Sequence, residues 1–96
     1  MESIDNYEKV EDCCYNIGVA YIKLKDYDEA IKYLKKAISF SKQSKYFYNL
    51  GCCYYWKKDY GSSMFNFIIA YELDDEDEDL KEAIDIVAKV INNEEE

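Results

Sequence analysis

The chain copies itself at a displacement of 33 residues. Tyr15-Asn16-x-Gly18-x-x-Tyr21 returns as Tyr48-Asn49-x-Gly51-x-x-Tyr54, and Lys25-Asp26-Tyr27 returns as Lys58-Asp59-Tyr60. Ala37 returns as Ala70, and apolar positions are kept in kind: Ile17 with Leu50, Ile31 with Met64, Leu34 with Phe67. Identities at one fixed offset are not the product of chance. A period of about 20–50 residues marks stacked supersecondary units, each too small to bury its own apolar face.

Each copy reads as two helices. The first spans roughly 9–24 and returns at 44–57; the second spans roughly 27–41 and returns at 60–73. Cys14, Ile17, Tyr21 and Leu24 recur at helical spacing, as do Ala30, Ile31, Leu34, Ala37 and Ile38. Ile17, Tyr21, Leu50 and Tyr54 are expected in the core stripe. Lys25-Asp26 and Lys58-Asp59 form the turns, with Asp26 or Asp28, and Asp59 or Ser62, as candidate caps. Gly18 and Gly51 sit inside helices, where glycine costs about 1 kcal/mol relative to alanine. Close approach of a neighbouring helix would offset that cost. A third copy begins with Leu80, Ala83, Ile84 and Val87 and stops, which predicts one capping helix over 79–91 and an acidic tail over 92–96.

Composition narrows the function. There is no Pro to interrupt a helix, no His for acid–base or metal chemistry, and no Arg for bidentate phosphate recognition. The formal charge is −9, unevenly placed. Residues 23–58 hold nine lysines and three acids, and residues 72–96 hold twelve acids and two lysines. Net acidity argues against nucleic acid, whose phosphates need a basic surface. No run approaches the roughly 18 apolar residues of a membrane span. No secretory leader is legible, and the expected setting is cytoplasmic.

The four cysteines form two adjacent pairs, Cys13-Cys14 and Cys52-Cys53. Helical neighbours point about 100° apart, so neither pair makes an easy disulfide or chelate. They read as small hydrophobes, with Cys14 and Cys53 buried and Cys13 and Cys52 more exposed. No metal site and no cofactor is expected. The acidic run 74–79 lacks the glycine and ligand spacing of a calcium loop and reads as a solvated linker. With no nucleophile–base pair, the chain is not expected to be an enzyme.

The repeated residues resemble the tetratricopeptide repeat. The pattern is carried by Cys14-x-x-Ile17-Gly18-x-x-Tyr21, Ala30-x-x-x-Leu34 and Ala37, and by Phe47-x-x-Leu50-Gly51-x-x-Tyr54, Ser63-x-x-x-Phe67 and Ala70. The resemblance implies an all-α fold: a right-handed α-solenoid of two helix-turn-helix units, about 11–43 and 44–76, and a capping helix, five helices in all within one domain. The period is 33 rather than 34 and the closing Pro is absent, which implies a shorter link between units. Two units are fewer than the three an independent stack needs, so self-association, or membership of a larger protein, is expected to add stability.

The resemblance also places a partner. In this family the first helix of each unit lines a concave groove. By position, that groove takes Asp12, Tyr15, Asn16, Val19, Ile22 and Lys23, then Lys45, Tyr48, Asn49, Cys52, Tyr55 and Trp56. The capping helix adds Glu78, Lys81, Glu82 and Asp85. Some members clamp a chaperone's terminal carboxylate with Lys and Asn. Of that clamp only Asn49 survives, while Glu78 and Glu82 would repel a carboxylate, so this partner is excluded. What remains is an aromatic groove with an acidic lip, suited to a peptide with apolar anchors and a basic flank. The partner-contacting set is Tyr15, Asn16, Val19, Lys45, Tyr48, Asn49, Cys52, Tyr55, Trp56 and Glu82. The alternative is a homo-oligomeric assembly unit in which the stack end or acidic helix of one copy meets the lysine face of another.

Overall fold

A computed structural model describes the backbone of residues 2–95 and the side chains of residues 8–93. Among the described residues there are five helices and no strand: α1 (Glu2–Lys23), α2 (Tyr27–Ile38), α3 (Ser44–Trp56), α4 (Tyr60–Leu73) and α5 (Glu78–Glu95). The helices pack in chain order. α1 lies on α2 and α3 on α4 within each hairpin, while α2 on α3 and α4 on α5 join successive units. The fold is an all-α helical-repeat solenoid.

Two of the expected ends differ. α2 stops at Ile38 rather than near residue 41, where the Ser39 hydroxyl donates to the Lys36 carbonyl at 2.5 Å. α5 runs on to Glu95, so the stretch read as a tail after residue 91 continues the helix, and Glu96 lies outside the described residues.

Both hairpin turns have the same construction. Asp26 accepts from the Glu29 amide at 3.3 Å and Asp59 from the Ser62 amide at 3.2 Å, so each second helix is capped as its turn sequence predicts. The residue before each cap is left-handed: Lys25 at φ 64° and Lys58 at φ 69°. The Lys25 amide donates to the Ile22 carbonyl and the Asp26 amide to the Tyr21 carbonyl, both at 2.9 Å, closing the first helix of the hairpin. Glycine holds that conformation without the Cβ penalty. Lys25→Gly is therefore expected to stabilise the fold by about 0.5–1 kcal/mol, read as a higher urea midpoint at unchanged slope.

The glycines make the close approaches. A Cβ on Gly18 would stand 3.0 Å from Leu34 Cγ, and one on Gly51 would stand 2.5 Å from Phe67 Cδ1 and Cε1. Ser63, which replaces the alanine of the first copy, is buried at this crossing and donates its hydroxyl to the Gly51 carbonyl at 2.8 Å. The core runs through Ala30, Leu34, Phe47, Leu50, Cys53, Phe67, Ala70, Leu80 and Val87. Cys14 and Cys53 are buried, as their repeat positions imply.

The core stripe needs one correction. Leu50 is 3% exposed, but its counterpart Ile17 is 39% exposed and Leu24 is 74% exposed. Leu50 is covered because α2 packs on α3. Among the described residues no helix takes that place on α1, and Leu24 follows the last helical residue.

Candidate partner-binding site

The expected groove residues separate into two clusters. The first is the joint between α1, the α2–α3 link and α3. Tyr15 leans on Tyr46 with ring centroids 5.3 Å apart, and the Lys45 ammonium lies 4.8 Å from the Tyr15 centroid. Asn49 donates to the Tyr15 hydroxyl at 3.5 Å and to the Lys45 carbonyl at 2.7 Å. Tyr15, Lys45 and Asn49 are thus engaged with one another. Asn16 is exposed and Val19 half-buried on α1, away from the cleft described below.

Sequence reasoning missed the residue at the centre of this joint. Tyr46 is fully buried, and its hydroxyl donates to Glu11 Oε2 at 2.6 Å. Gln43 donates to the same carboxylate oxygen at 2.8 Å and to the Tyr46 hydroxyl at 3.1 Å, and the Ser41 hydroxyl also donates to Glu11. Hydrogen bonds from Ser41 and then Tyr46 hold the Glu11 carboxyl below its ordinary value. Burial, followed by the Glu11 contact, pushes the Tyr46 phenol up. The network pins the link between hairpins to helices on both sides. Its signal was faint, because Tyr46 corresponds to exposed Cys13 in the first copy, and that comparison hides its burial.

The second cluster is a cleft of about 300 Å³ between α3 and α5, lined by Tyr48, Cys52, Tyr55, Trp56, Phe67, Ala83, Ile86 and Val87. Tyr48 packs against Phe67 at 5.7 Å, and Tyr55 meets Trp56 edge-on at 5.2 Å. Trp56 remains 61% exposed, an aromatic left open at the mouth of an apolar slot. Four of the expected residues meet here. The α5 wall differs from expectation: it is Ala83, Ile86 and Val87, while Glu82 is exposed and does not line the cleft. The truncated third copy places Ala83 and Val87 on the apolar stripe of the capping helix and does not single out Ile86.

The Tyr48 phenol is pushed up to about 12, first by the charge of Cys52, then by burial and its hydrogen bond to Cys52. Asp77 in the α4–α5 link and Asp79 in the first turn of α5 add to that shift. Burial raises the Cys52 thiol, and raises Cys53 to about 12, so both are protonated at neutral pH and poor nucleophiles. Among the described residues, no group of three or more His, Cys, Asp or Glu could hold a metal. No described helix is long and apolar enough to cross a membrane.

A stack of capped helical hairpins, crossing at interior glycines and opening an aromatic cleft, defines a helical-repeat scaffold. Residues 11–43 match the family model described as Tetratricopeptide repeat. That match covers the first hairpin, one repeat of a kind that is non-catalytic and generally mediates protein–protein interaction. No curated protein matches the chain.

Proposed function

We propose that the chain is an adaptor that captures a peptide segment with apolar anchors and a lysine- or arginine-bearing flank, in the cleft between α3 and α5. In this reading residues 44–76 are the second repeat and α5 is the cap that completes the groove. The supporting observation is Trp56, exposed at the mouth of an otherwise apolar slot beside Tyr55. Large aromatics with polar handles are the residues that concentrate binding energy. Asp77 and Asp79 set the sign of the flank, because their field reaches Tyr48. The reading is of a binding module, not an enzyme, working on protein rather than nucleic acid. It places the chain in the cytoplasm, where its four free thiols stay reduced.

Trp56 is the chain's single tryptophan, so its emission reports on the cleft. A panel of short Leu/Phe peptides flanked by lysines should shift that emission, and their glutamate-flanked counterparts should not. Trp56→Ala should weaken a fluorescein-labelled lysine-flanked peptide at least about tenfold, roughly 1.4 kcal/mol, with the circular dichroism unchanged. Tyr48→Phe should retain binding, since it keeps the ring against Phe67. Equal affinity in Trp56→Ala, or indifference to the sign of the flank, would remove the proposal.

A further inference from the structure

The two second helices present opposite surfaces, and the internal repeat makes each the control for the other. The outward ridge of α2 is Asp28, Lys32, Lys35 and Ser39; the same positions on α4, 33 residues on, are Gly61, Phe65, Ile68 and Glu72. All eight are exposed, with Phe65 at 66% and Ile68 at 43%. Lys36 likewise becomes Ile69. From Tyr60 to Tyr71, α4 carries no charged side chain. The fold does not require this, because α2 occupies its place in the first hairpin with lysines in the same register. Nor does Gly61 serve internal packing, since a Cβ there would meet nothing within 4 Å. An apolar ridge on a solvated helix face has a partner as its physical explanation.

The ridge is complementary to itself. Its middle is apolar, its N-terminal turn carries Lys57 and Lys58, and its C-terminal end carries Glu72, Asp74, Asp75 and Glu76. Lys57 is paired with Asp28, and Lys58 beside it is exposed. We propose that α4 docks antiparallel on α4 of a second copy. The 4-3-4 spacing is symmetric about its midpoint. A two-fold axis there sets Phe65 against Ile68 of the second copy, and Glu72 of the second copy over the open space at Gly61. It also sets Asp75 of the second copy opposite Lys58. Each helix N-terminus then faces the other's acids, the favourable direction for the helix dipole. A parallel pairing would set acid on acid. This surface belongs to α4, whereas the peptide cleft lies between α3 and α5, so the two readings stand or fall separately.

One helix face from each copy makes a small, reversible interface. Sedimentation velocity over about a hundredfold range of concentration should show the mean mass rising from monomer toward dimer, less so in high salt. Phe65→Lys with Ile68→Lys, which copies the residues of α2, should remain monomeric with unchanged helicity. Lys58→Glu should raise the dimer dissociation constant at least about tenfold, and adding Asp75→Lys should restore it. That charge swap decides the matter if the lysine variant fails to fold. A wild-type chain that stays monomeric, a lysine variant that still dimerises, or a charge swap without effect would overturn the proposal.

Discussion

Gly51→Ala should destabilise the protein by up to about 2 kcal/mol, whereas Gly18→Ala should be nearly neutral. Alanine gains about 1 kcal/mol over glycine in a helix interior, and both substitutions collect that gain. The opposing term differs. At Gly51 the added methyl meets the Phe67 ring at 2.5 Å, a distance at which the ring has to shift. Overpacking of that kind costs about 1–3 kcal/mol. At Gly18 the nearest atoms are Leu34 Cγ at 3.0 Å and Cδ2 at 3.3 Å, so Leu34 has to give by only a few tenths of an ångström. Thermal melts read the difference directly, at about 4–8 °C per kcal/mol for a domain of this size. The first hairpin supplies the rescue. Placed on a Phe67→Leu background, which reproduces the Gly18–Leu34 pairing, Gly51→Ala should lose most of its penalty. A double-mutant cycle with no coupling would show that the ring contact is not the cause.

Glu11→Ala should cost about 1–3 kcal/mol, because it leaves the buried Tyr46 hydroxyl without its acceptor. The effect should be larger than for a typical surface acid, since three side chains from the link and α3 converge on one carboxylate. The same network predicts a pH dependence. Hydrogen bonds from Ser41 and Tyr46 lower the folded-state pKa of Glu11 from 4.5. Its contribution is therefore fully present above that value and is lost as pH falls through the lower folded value. Glu11→Gln, being uncharged, should flatten this acid limb of the stability curve while lowering stability at neutral pH. Urea denaturation between neutral and acidic pH tests both points. A wild-type acid limb unchanged by the substitution would assign it to other carboxylates.

The fold was legible in the sequence because one physical pattern was written twice. Gly18 and Gly51 signalled helix crossings, and Asp26 and Asp59 signalled the starts of the second helices. The first copy alone would have left its period ambiguous. Ile17 escaped the same logic, because a copied residue inherits its pattern and not its neighbours. Leu50 has a helix before it in the stack, and no described helix takes that place for Ile17. The candidate site was legible in part. Tyr48, Cys52, Tyr55 and Trp56 converge as expected, since they share one helix and a cleft needs no long-range information to group them. Their opposite wall depended on how α5 rotates against α3, which the truncated third copy could not specify. The Tyr46–Glu11 network joins residues 35 positions apart through a link without periodicity, and no local pattern announces such a contact.

The bare side of α1 bears on how such a chain could be lengthened. In α3 the side made by Tyr46, Leu50 and Cys53 is sealed by the helix before it, while its counterpart in α1, made by Cys13, Ile17 and Ala20, lies open to water. That strip is a growth front: a grafted hairpin whose second helix matched α2 would find a seat of the right register already in place. On α5 the residue at the position of the crossing glycines is Ile84, so a hairpin grafted after it would need that side chain removed to reach the same crossing.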